Sequence, residues 1–233
     1  MIEKLLTIII PCKNEEQIID KTLTYLNNQV DIKNTRVIIA DSSDDNTRNI
    51  ITNSKYENLN IEIIDGGMPS VARNNGAKLS TTPYILFLDA DIFLTDEYTL
   101  YDILKTNMNT CYDLLTCTIK TEGDKYSFVL PKFNVLKEIF FPNLNFVLGG
   151  FMIFYRETFN EVGQFDEEVK FAEDFLISQK ISKTCTFVSD RIAYTTDRRF
   201  RKKGIWYMTK MVILSLINRN NIEFFKNDHK YWI

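Results

Sequence analysis

From Leu5 to Leu88 the chain alternates short apolar, β-branched runs with segments of helical periodicity, and no other feature narrows its fold as much. Residues 5–10 are apolar or β-branched throughout. In the following segment, 14–28, Ile18, Ile19, Leu23 and Leu26 recur at helical spacing. The same unit repeats as a strand over 36–40, a helix over 44–52 with residues 42–45 as cap candidates, a strand over 61–64, a helix over 70–79 and a strand over 84–88. Runs apolar on both faces and separated by helices predict an α/β fold: a mostly parallel, Rossmann-like sheet with helices on both sides and right-handed crossovers.

After Asp91 the rhythm changes. A helix is predicted over 97–107, strands over 114–121 and 126–130, and a strand over 145–155 that carries Gly149 and Gly150. A short helix over 173–181, strands over 185–188 and 191–195, and an apolar helix over 205–216 complete a mixed second half. With no repeat, low-complexity stretch or linker, one domain is expected over 1–233, with subregions at about 1–95, 96–200 and 201–233. The aromatic residues Tyr126, Phe128, Phe133, Phe140, Phe141 and Phe146 are expected mostly to fill core space, with stacking on a sugar as the alternative.

Composition removes several functions. At 45% hydrophobic and 13% aromatic the chain has ample material for a core. A net charge of −3 argues against a general nucleic-acid coat, so no nucleic-acid partner is expected. Cys12, Cys111, Cys117 and Cys185 form no CxxC pair and lie in or beside apolar stretches, which suits a reducing, cytoplasmic location. The apolar run before Cys12 is too brief for a signal peptide, and no run reaches the ~18 apolar residues of a membrane span. A soluble or peripheral protein is expected. The single histidine, His229, stands near the end of the chain, which removes HExxH zinc sites and Ser-His-Asp or Cys-His nucleophiles. Acid–base chemistry falls to carboxylates.

In a doubly wound sheet, ligands sit at the carboxyl ends of the strands. The first strand ends in Pro11-Cys12-Lys13-Asn14-Glu15, which lacks both the GxGxxG of a dinucleotide fold and the P-loop pattern. The second ends in Asp41, suited to accept from a ribose hydroxyl or a uracil imide, or equally to serve as a turn or helix-cap residue. The fourth ends in Asp89-Ala90-Asp91, which sets two acids in an apolar segment. Paired carboxylates there suit a hard divalent cation bridging to phosphates, against the alternative of turn capping. Glu173-Asp174 reads on its own as acids in the first turn of a helix.

Taken in order, residues 7–16, Asp41, Ala72-Arg73-Asn74-Asn75-Gly76, Leu88-Asp89-Ala90-Asp91, Gly149-Gly150, Gly163-Gln164-Phe165-Asp166 and Glu173-Asp174 resemble the family 2 inverting glycosyltransferases of the GT-A fold. The resemblance runs from residue 5 to about residue 200. It implies a donor pocket for a nucleoside diphosphate sugar, UDP foremost, in the first subregion. Pro11, Cys12, Asn14 and Glu15 would line the nucleoside, Asp41 the base, Arg73 the base or diphosphate, and Asp89 and Ala90 the ribose side. Asp91 would hold Mg²⁺ or Mn²⁺, Asp174 would be the general base for a hydroxyl acceptor, and Glu173 the acid that positions it. Gly149 and Gly150 would let donor sugar and acceptor approach.

Where many relatives carry a metal-binding histidine after the last strand, this chain reads Tyr194-Thr195-Thr196-Asp197-Arg198-Arg199, which leaves Asp197 or water as the third ligand. The QxxRW pattern of processive synthases is missing, which implies single-sugar transfer. Arg198 and Arg199 open a basic run with three readings: a solvated surface, a clamp on the leaving diphosphate, or, with the apolar helix through residue 217, a peripheral contact with anionic lipid. The competing functions are a sugar-phosphate nucleotidyltransferase, whose Gly-rich first loop is lacking, and a catalytically silent nucleotide-sugar binder, which would not need all of Asp89, Asp91 and Asp174.

Overall fold

A computed structural model describes residues 2–123 and 125–229. The first half follows the predicted alternation: β1 (Leu6–Cys12), α1 (Ile19–Asn27), β2 (Thr35–Asp41), α2 (Thr47–Asn53), β3 (Leu59–Asp65), α3 (Pro69–Lys78) and β4 (Tyr84–Leu88). The second half runs β5 (Ile92–Phe93), α4 (Thr99–Thr110), β6 (Leu114–Thr121), α5 (Val129–Phe140), β7 (Phe151–Tyr155), α6 (Arg156–Glu161), α7 (Glu173–Ser178), β8 (Thr186–Thr195), α8 (Arg198–Lys203), α9 (Ile205–Ile217) and α10 (Ile222–Lys226).

The strands form one sheet in the order β3-β2-β1-β4-β7-β6-β8-β5. β3, β2, β1 and β4 are mutually parallel, as expected of strands joined through helices. β7 returns antiparallel beside β4 and β6, and β8 then pairs parallel to β6 with an irregularity between Cys117 and Thr118. Strand alternation divides the core. Ile8 and Ile10 meet Leu23, Leu26, Leu86 and Leu100 on one face, while Ile9 meets Phe87, Phe154, Phe159 and Phe165 on the other. A third cluster joins Phe171 and Phe175 to Met211 and Leu216 of α9 and Phe225 of α10.

Several expectations need correction. The predicted helix from residue 14 begins only at Ile19, because Asn14 adopts φ 56° and the N–H groups of Asn14 and Glu15 donate to Ser43 Oγ and Thr47 Oγ1 at 2.8 and 2.9 Å. The predicted strand over 126–130 is a turn leading into α5. The predicted strand over 145–155 starts at Phe151, and the strands over 185–188 and 191–195 are one strand, β8. β3 is only half-buried, as befits a sheet edge. Half of the aromatic set did not go to the core: Phe128, Phe140 and Phe141 are exposed, whereas Tyr126, Phe133 and Phe146 are half-buried and Phe146 packs on the third cluster. All four cysteines are free, and among the described residues no helix is long and apolar enough to cross a membrane.

Candidate active site

β4 ends at Leu88 and the chain turns at once. Asp89 donates its N–H to the Gly150 carbonyl at 3.0 Å, and its own carbonyl accepts from Ile92 N–H at 3.0 Å, making residues 89–91 a tight corner before β5. The Ala90 carbonyl accepts from Thr22 Oγ1 at 2.6 Å, which ties the corner to α1. Asp91 accepts from Thr196 Oγ1 at 3.2 Å, just past the end of β8. Burial, then the charge of Asp89, push the Asp91 carboxyl above its ordinary range, and Arg199 and Arg198 oppose the rise. Like charges crowded in a half-buried corner are relieved by a cation, so these residues fit a hard divalent ion.

Among the described residues no group of three or more His, Cys, Asp or Glu side chains gathers for a metal. Asp197, expected as a third ligand, does not join the pair: its carboxylate accepts from Arg201 Nε at 2.5 Å, one turn along α8. An ion at Asp91 would draw its remaining ligands from substrate phosphates and water, as magnesium commonly does.

Arg73, on α3, connects this corner to the second pair of acids. Its side chain is only 3% exposed, with Nη2 donating to Asp89 Oδ1 at 2.6 Å and Nη1 to Glu173 Oε1 at 2.5 Å. Burial alone would lower its pKa, but the charges of Asp89 and Glu173 more than reverse that, and the guanidinium stays charged. Arg73, for which the resemblance implied a place near the base or diphosphate, is thus bonded to two carboxylates at the cavity wall.

Asp174 lies in the first turn of α7, after Ala172 in a left-handed conformation (φ 56°). The Gly149 N–H donates to Asp174 Oδ2 at 2.6 Å. A Cβ on Gly149 would stand 2.6 Å from that same oxygen, so only glycine admits this approach. Burial, then the neighbouring Glu173 charge, push the Asp174 carboxyl up to about 6, against the N–H of Phe175, Arg73 and the N–H of Gly149. A Cβ on Gly150 would lie 2.7 Å from Ile92 Cδ1, so the glycine pair is also close to β5.

Asp89, Asp91, Arg73, Gly149, Gly150, Glu173, Asp174 and Arg199 line one cavity of about 480 Å³. Acidic at this end, it continues along apolar side chains of α5 and α9. Pro11, Cys12, Asn14, Glu15 and Asp41 lie outside it, at the carboxyl ends of β1 and β2. There the two loops are laced together, with Asp44 N–H donating to Asn14 Oδ1 at 2.9 Å and Asn46 N–H to Glu16 Oε2 at 3.1 Å. Asp41 is buried and accepts from Ser43 N–H at 3.1 Å, a turn contact, and from Arg48 Nε of α2 at 3.0 Å, an ion pair; it does not cap that helix. Cys12 is buried, and burial followed by the Asp41 charge raises its thiol pKa strongly.

The nucleoside side is nevertheless joined to the cavity. Glu15, raised by burial and lowered by its partner, accepts both Nη atoms of Arg198 at 2.8 and 2.6 Å. This places α8 across the space between the β1 loop and Asp91. The sequence reading missed α8, although the Asp197–Arg201 spacing is that of an i,i+4 helix pair. His229 packs against Phe171 and Phe224 and takes no part in the cavity lining.

Comparison with known proteins agrees with this arrangement. The family described as "Glycosyl transferase family 2" matches residues 7–163. Poly(ribitol-phosphate) beta-glucosyltransferase of Bacillus spizizenii is 33% identical over 45% of this chain and 18% of its own length. Poly(ribitol-phosphate) beta-N-acetylglucosaminyltransferase TarP of Staphylococcus aureus is 27% identical over 76% of this chain and 59% of its own. Both relatives are thus longer than the part this chain spans. A crystal structure of Staphylococcus aureus TarS in complex with UDP-GlcNAc superposes with a TM-score of 0.60 at 24% identity, over 83% of this chain and 56% of that one. With that match over residues 7–163 and a sheet shared with a GT-A neighbour, the chain belongs to glycosyl transferase family 2.

Proposed function

We propose that this protein is an inverting, non-processive glycosyltransferase that moves a sugar from a nucleoside diphosphate sugar, foremost a UDP-sugar, to a hydroxyl acceptor. The observation that carries the reading is the single cavity in which the Asp89-Ala90-Asp91 corner and Asp174 face the same space. The names of the relatives, which transfer glucose and N-acetylglucosamine, and the UDP-GlcNAc complex of the TarS neighbour support a UDP-hexose donor.

In this mechanism Asp174 accepts the acceptor's hydroxyl proton as the oxygen bonds to the anomeric carbon. The bond from that carbon to the diphosphate breaks with its electron pair leaving on the nucleoside diphosphate. Attack from the opposite face inverts the anomeric configuration. A carboxyl pushed up to about 6 suits the role, being mostly ionised at neutral pH yet more basic than a free aspartate. Gly149 orients it, and Arg73 ties the adjacent Glu173 to Asp89. Mg²⁺ or Mn²⁺ at Asp91 would neutralise charge on the leaving diphosphate. Arg198 and Arg199 stand at that end as its cationic clamp.

The test is a panel of nucleotide sugars with Mn²⁺, scored by nucleoside diphosphate release. We expect turnover with a UDP-sugar, its loss on chelation with EDTA, and recovery when metal is restored. NMR of the product should show the anomeric sense opposite to that of the donor; retention would overturn the mechanism.

A further inference from the structure

Beyond Asp174 the cavity changes character. Its walls become Phe133 and Leu136 of α5, Phe146, and Met208, Val212 and Ile213 of α9. The hydroxyl of Ser215, one of the few polar groups there, already donates to the Met211 carbonyl at 2.9 Å. Such a wall offers little to the hydroxyls of a free glycan and suits an aliphatic chain.

The mouth is apolar as well. Leu136 and Ile213 line the cavity while remaining 52% and 50% exposed. Phe140, also exposed, lines it too; outside it, Val135 and Ile139 continue an exposed stripe on α5 at helical spacing, and Trp206, 86% exposed, stands on the same face of α9 as Ile213 and Ile217. Exposed apolar surface on both walls of one cavity is unusual for a surface that meets only water. Lys132 of α5 and Lys210 of α9 are exposed on the same helices, with Lys202 exposed on the adjoining α8, the charge that complements an anionic bilayer. α5 lies within the residues matched by the family and α9 beyond them.

We propose that the acceptor is an amphiphile drawn from a membrane, with its hydroxyl-bearing head at Asp174 and its aliphatic chain in the apolar arm between α5 and α9. This rests on Asp174 being the base of the transferase reading, but the arm is testable without turnover. Isothermal titration should compare ethyl and dodecyl β-D-glucoside, the latter below its micelle concentration. Affinity should rise by about two- to fourfold for each methylene buried. Leu136→Glu and Ile213→Glu, both at half-exposed positions, should keep the thermal unfolding midpoint and weaken dodecyl glucoside binding at least about tenfold. The protein should also float with phosphatidylcholine–phosphatidylglycerol vesicles. Equal affinity for the two glucosides, or unchanged binding in both variants, would overturn the arm and leave the transferase reading standing. Chain-dependent binding without flotation would overturn the membrane source. Chain-dependent binding and flotation in a protein that neither binds nor hydrolyses any nucleotide sugar would support the arm and count against the transferase reading alone.

Discussion

Asp174 carries opposite consequences for activity and stability. As a proton acceptor it must be ionised, so kcat/KM should fall about tenfold per pH unit below about 6. Because the folded chain binds this proton more tightly than the unfolded chain, the stability it contributes is fully present below the ordinary carboxylate value and is lost as pH rises through about 6. Above that window the ionised group costs on the order of 1–3 kcal/mol. Asp174→Asn should therefore reduce transfer by about 10²–10⁴-fold while raising Tm at pH 7.5. Retained transfer would remove Asp174 from its role. Gly149→Ala should displace the carboxylate, lowering kcat about 10²-fold with donor KM little changed. That proton transfer would fall to carboxylates was legible in a chain with one histidine, but the choice of Asp174 came from the resemblance, since alone it reads as an acid in the first turn of a helix. The Gly149–Asp174 contact was not legible, since it depends on packing between segments far apart in the chain.

Helix α8 shows what local pattern conceals. Its basic run reads as a solvated surface, yet Arg198 reaches Glu15 across 183 positions of sequence. A half-exposed pair of this kind contributes only about 0–1 kcal/mol to stability. On the donor's diphosphate the same guanidinium would be worth more, so Arg198→Ala should raise donor KM about tenfold or more and barely move Tm. A large fall in Tm with unchanged KM would make Arg198 a structural tie alone. Helix α5 misled in the other direction. Tyr126, Phe128 and Leu130 alternate like a strand, but Val129, Phe133, Leu136 and Phe140 carry the helical period, and Pro131 sits in the first turn, where its missing N–H is harmless.

Across the whole molecule, legibility followed burial. Strands covered on both faces, β1, β2 and β4, announced themselves as continuous apolar runs. In the second half β6 stood at its expected bounds and α9 within a residue of them, but the order of the sheet was not legible, because β7 enters its middle from the opposite direction and β8 joins β6 across a distant connection, neither of which leaves a local mark. The layers of the legible half are close. A Cβ on Gly76 of α3 would stand 2.5 Å from Ile9 Cγ2 of β1, so Gly76→Ala should destabilise the fold by about 1–3 kcal/mol, read as a lower midpoint in urea. β4 and β7 are paired so that Leu88 faces Phe151, which sets Asp89 against Gly150 and so places the Asp89-Ala90-Asp91 corner beside the glycine pair, of which Gly149 holds Asp174. A one-residue slip of that ladder would exchange the side chains packed on the sheet's two core faces, and a two-residue slip would move the halves about 7 Å apart. The gap between the two reacting ends is therefore ratcheted, with no fine adjustment, and any accommodation of bulkier or slimmer cargo falls to the helices around its rim.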